Sequence, residues 1–289
     1  MISVNPHQNL QEILDRAQPG EKLVLTAGDY RVKATIFTPG LTIHGAGADR
    51  TRILWDDYAE KKDAAGVAYN TFRTWTLAVC ADDITMRDLS IVNDALQPET
   101  KGQEVALTVY GTRFRMERCH LSSTQDTLFL GPLPPDLIER YNGFLPEHLR
   151  RSLPCTQQFT DCLIEGTVDF IFGCGEALFQ NCEIRSLREV RGTGYAAAPA
   201  HEARQTEGFR FSQCRFTAGE GVPDGSVFLA RPWRDYGLCV FENCAYGPHI
   251  SPLGFDKWND THRDQTARFY ESPLLPGRVP WARPLAAKS

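Results

Sequence analysis

One short phrase recurs along this chain and limits what it can fold into. An apolar residue, then a small or apolar residue three places on, then an apolar residue two beyond that, appears as Met86-Leu89-Ile91, Met116-Cys119-Leu121, Phe159-Cys162-Ile164, Phe179-Cys182-Ile184, Phe211-Cys214-Phe216 and Phe241-Cys244-Tyr246. The central slot advances by 30, 43, 20, 32 and 30 residues. Short apolar strands at so uneven a period do not suit a rigid repeat. They suit a coil of variable circumference, in which each turn buries its inner face only by stacking on the next. The expected fold is therefore all-β: a right-handed parallel β-helix with a short N-terminal capping helix and a long extended C-terminal tail, forming a single domain over residues 1–289. A β-propeller would need blade hairpins with paired turn signals, and the sequence has none.

The slot also explains the cysteines. The nine are odd in number and lie in no CxxC or metal-ligand spacing. Five occupy the slot, so they read as small buried apolar residues rather than disulfide partners. At the N-terminus, Asn5-Pro6 followed by Leu10, Ile13, Leu14 and Ala17, closed by Pro19-Gly20, predicts the capping helix. From Trp258 onward, four prolines (273, 276, 280 and 284) predict a tail lying across the coils. The 43-residue interval holds Gly131-Pro-Leu-Pro-Pro135 through Pro154, more than a coil needs, and predicts a projecting loop.

A net charge of −5 argues against nucleic-acid or membrane-surface partners. No apolar run reaches the roughly 18 residues of a membrane span, and the N-terminus lacks a signal-peptide pattern. As written, the chain is expected to be a cytoplasmic monomer; as a trimmed form of a longer protein, it would be secreted or periplasmic.

Two copies of the phrase carry an aspartate seven residues after the slot: Asp126 after Cys119 and Asp169 after Cys162. On adjacent coils these carboxyls would lie about one strand spacing, ~4.8 Å, apart. Neighbouring carboxylates resist ionising together, which drives their pKa values apart into an acid and a base. The apolar residues after each, Leu128-Phe129 and Phe170-Ile171-Phe172, would raise the carboxyl pKa and offer a surface to a ligand. The pair alone does not choose a reaction, since a retaining glycosidase uses a similar separation.

Gln103-Glu-Val-Ala-Leu107, Gln125-Asp126-Thr-Leu128, Val168-Asp169-Phe-Ile-Phe-Gly173 and Leu229-Ala-Arg231-Pro-Trp233 together resemble the pectin methylesterase (pectinesterase) family, in that family's order along the chain. The likeness extends through Gly28-Asp-Tyr30, Ile250-Ser-Pro-Leu-Gly254, Trp258-Asn259 and Phe269-Tyr-Glu271, and thus covers most of the sequence. The resemblance implies a parallel β-helix that hydrolyses methyl esters of galacturonate in homogalacturonan or its oligomers. It implies Asp169 as nucleophile, Asp126 as acid and then base, Gln103 and Gln125 as oxyanion donors, and Arg231 as the group that orients Asp169. Phe129, Val168, Phe172, Trp233 and Trp258 match positions of the family's sugar-binding surface. Tyr195 and Arg204 fall where the family is looser and receive no role.

No cofactor or metal is implied; the seven histidines are scattered without HxH or HExxH spacing, and no GxSxG elbow marks a serine esterase. Three residues depart from the family pattern: Glu104 for a small residue, Val32 for an acidic one, and Ala230 for a glycine. Glu104 would bias the site against a free carboxylate if it faced the groove, and do nothing if it faced out. The competing readings are a pectate lyase or glycosidase on the same fold, and a pectin-binding or other acyl-ester-acting relative.

Overall fold

At six successive corners the residue before the slot adopts a left-handed backbone: Asp88 (φ 58°), Arg118 (50°), Asp161 (54°), Asn181 (53°), Gln213 (56°) and Asn243 (53°). Asn and Asp enter this region most readily among non-glycine residues, and four of the six are Asn or Asp. The step turns the chain from one strand into the next without interrupting the stack. The result, in a computed structural model that describes residues 1–95, 102–141, 147, 150 and 155–286, is a parallel β-helix of three sheets with eleven, seven and eight strands.

Each strand pairs in parallel with its counterpart one coil away, and register follows the slot. Met116 lies opposite Phe159, Phe159 opposite Phe179, and Phe179 opposite Phe211. Phe211 in turn lies opposite Phe241. Their rings stack inside the helix with centroids 4.9, 4.7 and 5.0 Å apart from Phe159 to Phe241. These spacings equal the strand spacing, so the stack is a direct consequence of register. The slot thiols of Cys119, Cys162, Cys182 and Cys214 are buried beside it. Cys162, Cys182 and Cys214 donate to the carbonyls of Met116, Phe159 and Phe179 on the preceding coil. The cysteines are free thiols, as the slot predicts.

The seven-stranded sheet carries the site. Counting inward from one edge, its first five strands are Val227–Ala230, Gly194–Pro199, Val168–Gly173, Leu128–Leu130 and Leu107–Val109. Every residue of Val168–Gly173 is buried. One face packs into the helix interior, with Phe170 and Ile171 in the main core. The other packs under a second apolar cluster of Phe72, Trp75, Tyr110, Phe129, Leu133, Leu137 and Phe172. Burial on both faces is why these parallel strands read as unbroken apolar runs.

The ends correct two expectations. The capping helix is Leu10–Arg16, not a helix begun at Pro6: Asn9 is the N-cap, accepting from the Glu12 N–H, while Asn5 accepts from His7 N in a preceding turn. A strand, Ile2–Val4, comes first and pairs with Lys22–Leu25. The helix covers the edge strand Ala34–Ile36, where the Gln11 amide donates to Thr35 O and accepts from Thr35 N. It thereby satisfies edge groups that would otherwise pair with another chain. At the other end, Arg268–Ser272 joins the eleven-stranded sheet rather than crossing the coils, and Phe269 is core. Only after Ser272 is the chain extended, and Trp281 folds back onto Phe255 and Phe269. Within the long interval from 131 to 154, a short helix, Pro135–Arg140, packs Leu137 into the outer cluster; residues 142–146, 148–149 and 151–154 lie outside the described residues.

Replacing Phe211 by Ala removes a ring held between two others in a fully buried stack. The expected loss is about 3–5 kcal/mol, read as a fall in Tm of roughly 5–10 °C. A shift no larger than that of a surface substitution would show that the stack does not support the coil.

Candidate active site

The two aspartates meet as their common offset predicts. Leu128 pairs with Ile171 and Phe129 with Phe172, and the same register sets Asp126 beside Asp169 on adjacent coils. The backbone N–H of Asp126 donates to Val168 O at 3.0 Å. Both residues have positive φ, 68° for Asp126 and 50° for Asp169. At Asp169 the strand also carries one extra residue against its neighbour, since Val168 pairs with Tyr195 but Ile171 with Ala197. Such a bulge re-aims a side chain out of the pleat, and bulges concentrate beside active sites. Gly166, just before it, is obligatory: a Cβ there would lie 2.3 Å from Phe170 Cβ and 2.6 Å from Thr124 O.

Arg231, from the end of the strand two coils on, reaches back to Asp169 in a two-pronged salt bridge, Nε to Oδ1 at 2.8 Å and Nη2 to Oδ2 at 2.7 Å. Its guanidinium is held between two rings, 3.8 Å from the centroid of Tyr195 and 4.0 Å from that of Trp258. Trp258 sits at φ 71°, a conformation a bulky residue rarely adopts, and its N–H donates to Asp256 Oδ1 at 2.6 Å.

This arrangement separates the two carboxyls. Both are almost fully buried, at 7% exposed for Asp126 and 6% for Asp169. Burial pushes Asp126 well above the usual carboxylate range, and the neighbouring charge of Asp169 adds to the rise. Burial lifts Asp169 too, and the salt bridge to Arg231 offsets part of that rise. The surroundings therefore favour the proton on Asp126 and the charge on Asp169.

Gln125 and Gln103 lie on the same side, ahead of the strands beginning at Leu128 and Leu107. Gln125 hydrogen-bonds Asp126, and its Oε1 accepts from Arg191 Nη2 at 3.0 Å. An arginine only donates, so the bond fixes which end of the amide is oxygen and turns the Gln125 NH2 toward the carboxyls. Arg191 is gripped in turn by Glu189 at 2.7 Å. Burial alone would raise Glu189, but hydrogen bonds from Arg191 hold it below its usual range.

A cleft of about 550 Å³ opens over these groups. Gln103, Gln125, Asp126, Asp169, Phe172, Arg231, Trp233 and Trp258 all line it, so eight of the ten residues expected from sequence are brought together. The other two lie beneath. Phe129 is fully buried, in edge and tilted contact with Phe72 (5.4 Å) and Phe172 (5.0 Å), and so supports the floor instead of touching a ligand. Val168 is 5% exposed and contributes the carbonyl that positions Asp126. Glu104 does neither thing expected of it. It is buried between coils, where Oε2 accepts from Thr124 and its backbone bonds Gln125 and Ser123, tying together the two segments that carry the glutamines. Ala230 is buried at the strand end, and Val32 packs against the core.

Sequence reasoning missed Tyr195, Arg191 and Phe72. Tyr195 was within reach, because Gly194-Tyr195 opens the strand one coil after Asp169 and register alone places it beside Val168. Phe72, in a single 3₁₀ turn, Thr71–Arg73, packs 6.5 Å from Trp233 and 6.5 Å from Phe172. Arg204 is exposed and paired with Glu202.

A profile of the family Pectinesterase matches residues 8–131 and 148–274. The chain belongs to the Pectinesterase family. Membership makes it a carboxylic ester hydrolase, and it places Asp126, Asp169 and Arg231 inside the matched segments. Pectinesterase QRT1 of Arabidopsis thaliana is 30% identical over 98% of this chain and 68% of its own length. Pectinesterase 31 of the same plant is 29% identical over 90% of this chain and 77% of its own length. Among solved structures, pectin methylesterase PemA from Erwinia chrysanthemi superposes with a TM-score of 0.82 at 23% identity, over 99% of this chain and 92% of that one. A pectin methylesterase in complex with a hexasaccharide gives 0.81 at 24%, over 96% and 89%. These structures share the parallel β-helix.

The raised Asp126 makes a stability prediction. A carboxyl whose pKa is higher folded than unfolded stabilises the fold while protonated, and that contribution is lost as pH rises through the folded value. Asp126→Asn mimics the protonated form and tolerates positive φ. It is expected to raise Tm at pH 8 and to lose that advantage near pH 4. An equal shift at both pH values would mean that Asp126 carries no unusual proton.

Proposed function

We propose that this chain is a pectin methylesterase, releasing methanol from methyl-esterified galacturonate in homogalacturonan or its oligomers. The observation that carries the reading is the pair in register: a protonated Asp126 beside an Asp169 kept ionised by a two-pronged arginine. Ester hydrolysis through an aspartate nucleophile needs an ionised carboxylate to attack and a protonated one to serve the leaving group, both at one pH.

The steps follow from that division. A carboxylate oxygen of Asp169 attacks the ester carbonyl carbon, and the carbonyl electrons move onto oxygen. The amides of Gln103 and Gln125 donate to that oxyanion, the latter aimed by Arg191. As the tetrahedral adduct collapses, the bond to the methoxy oxygen breaks and Asp126 gives up its proton, so methanol leaves as a neutral molecule. The remaining acyl group is an anhydride with Asp169. Asp126, now a carboxylate, takes a proton from water, whose oxygen attacks the substrate carbonyl carbon. Collapse frees the galacturonate carboxyl, returns Asp169 as a carboxylate and leaves Asp126 protonated for the next turnover. Trp233 and Phe172, in edge contact at 5.7 Å, offer flat apolar faces suited to sugar rings.

Methanol release from highly methylated pectin and from short methylated oligogalacturonides tests the reading. Asp169→Asn is expected to abolish it, and Gln125→Ala to reduce kcat by about 10²–10³. Chain scission without methanol would replace the esterase with a lyase or glycosidase. The pH dependence adds a check with a defined sign. Arg231 lowers the pKa of Asp169, so Arg231→Gln is expected to move the acidic limb of kcat/KM upward by about 1–3 pH units. A downward or absent shift would remove Arg231 from its role.

A further inference from the structure

Lys33 directly precedes the edge strand Ala34–Ile36 of the site sheet. Its side chain enters the connection 56–76, which joins the strand Thr51–Trp55 to the strand Leu77–Val79. There the ammonium donates to Asp57 Oδ2 at 2.5 Å and to the Arg73 carbonyl at 2.5 Å. It lies 4.8 Å from the ring centroid of Tyr69 and 4.8 Å from that of Trp75. Asp57 opens the connection and Arg73 stands near its close, so one charge ties the two ends together. Burial lowers the pKa of Lys33, and the bond to Asp57 offsets part of that fall. A strongly hydrated ammonium is costly to bury unless partners replace the water; a carboxylate, a carbonyl and two ring faces replace it here.

The connection in turn holds the segment that carries Gln103. Gln103 lies ahead of the strand Leu107–Val109, outside the ladder, so its backbone depends on other bonds. The Ala59 N–H donates to Gln103 O at 2.9 Å. Thr74 Oγ1 accepts from Val105 N at 3.0 Å and donates to Thr71 O at 2.8 Å. The buried Asn93 amide donates both to Asp57 O at 2.8 Å and to Val105 O at 3.2 Å. From the other side, Glu104 N donates to Gln125 O at 3.0 Å. The two glutamines are therefore held by different means: Arg191 grips the Gln125 amide itself, whereas Gln103 is set through its main chain by a connection that Lys33 closes.

We propose that Lys33 is a positioning residue for the reaction: by tying Asp57 to the Arg73 carbonyl it fixes the connection 56–76, and through it the Gln103 amide that receives the oxyanion. The inference rests on the esterase reading, in which Gln103 is an oxyanion donor, and deepens it. Such a donor works only where it meets the developing charge, at about 2.7–3.1 Å, and a misplacement of about 1 Å costs as much as 10²-fold in rate. Lys61 Nζ also pairs with Asp57, at 2.6 Å through Oδ1. Removing the Lys33 ammonium therefore leaves the buried carboxylate a cation, and the connection loosens without unfolding the coil.

The test is a double-mutant cycle on kcat for methanol release, built from the natural chain, Lys33→Met, Gln103→Ala and the two combined. Lys33→Met is expected to lower kcat about 10–100-fold in the natural background. With Gln103→Ala, where the donor is already gone, the same change is expected to lower it by less than about twofold. Lys33→Arg, which keeps a cation between the two rings, recovers part of the loss. A second readout, free of turnover, is amide hydrogen exchange at Ala59 and Val105, expected to quicken by about tenfold or more in Lys33→Met. If Lys33→Met does not fold, Asp57→Asn removes the charge that holds the ammonium and enters the same cycle with the same expected non-additivity. An equal loss of kcat in both backgrounds, or a kcat in Lys33→Met within about twofold of the natural chain, would overturn the proposal. Absence of methanol from the natural chain, with exchange at Val105 still dependent on Lys33, would overturn the esterase reading and leave the hold on the Gln103 segment standing.

Discussion

Two carboxyl groups one strand spacing apart, in a place from which water is largely removed, cannot both be charged. The site follows from that constraint. Parallel coils stack at ~4.8 Å, and the equal offset of Asp126 and Asp169 from the slot puts them in register on adjacent coils. One must keep its proton, and Arg231 decides which. Its guanidinium is committed through two bonds to Asp169 and clamped by Tyr195 on one face and Trp258 on the other. Tyr195 lies on the strand Gly194–Pro199 and Trp258 beyond the strand Val227–Ala230, so the position of one charge depends on segments well apart in the chain. A lysine could supply the charge but not the fork or the flat surface that two rings can grip.

The same geometry demands backbone that a sheet does not ordinarily allow. Asp126, Asp169 and Trp258 all have positive φ, and Asp169 lies at a bulge. Non-glycine residues in this region cost of order 1–3 kcal/mol each, and the cost persists only where surrounding structure over-determines it. Here that structure is the double burial of the site sheet. The interior aromatic stack holds one face, and the outer cluster around Phe129, Tyr110 and Phe72 holds the other. The corner residues before each slot take the same left-handed step for a purely architectural reason. Strain at the site is thus an extension of the device that winds the coil, applied where it aims a carboxyl outward.

The interior was legible in the sequence because register repeats: a slot that must stack on its own copy leaves a pattern at every coil. The aspartate pair was legible for the same reason. Facing was not. Leu128-Phe129-Leu130 is apolar throughout, and a strand buried on both faces gives no alternation to show that Phe129 lies under the floor instead of on it. The helix start was misplaced because Asn5-Pro6 has the form of a cap, whereas Asn5 is spent in a turn closed by Gln8 N–H to Asn5 O, and the helix begins only after Asn9. Arg191 and Phe72 were invisible because they reach the site from connections between coils, a turn and a short 3₁₀ helix, whose approach is set by tertiary contacts and not by period. Glu104 shows the limit most clearly. Its charge was noticed, but its direction depends on Ser123 and Thr124 one coil away.

Loops and coils divide the work along the same line. The coils fix the spacing of Asp126 and Asp169 and cannot vary it without breaking register, so the pair is tied to the slot pattern. The cleft's outer wall is under no such restriction. The helix Pro135–Arg140 stands in a stretch that the family profile omits, yet it is anchored to the wall residue Arg234 and to the apolar cluster beneath the site. Changing its length or sequence alters the wall of the cleft without moving Asp169. The lining of the cleft can therefore vary in this fold while Asp126 and Asp169 keep their register.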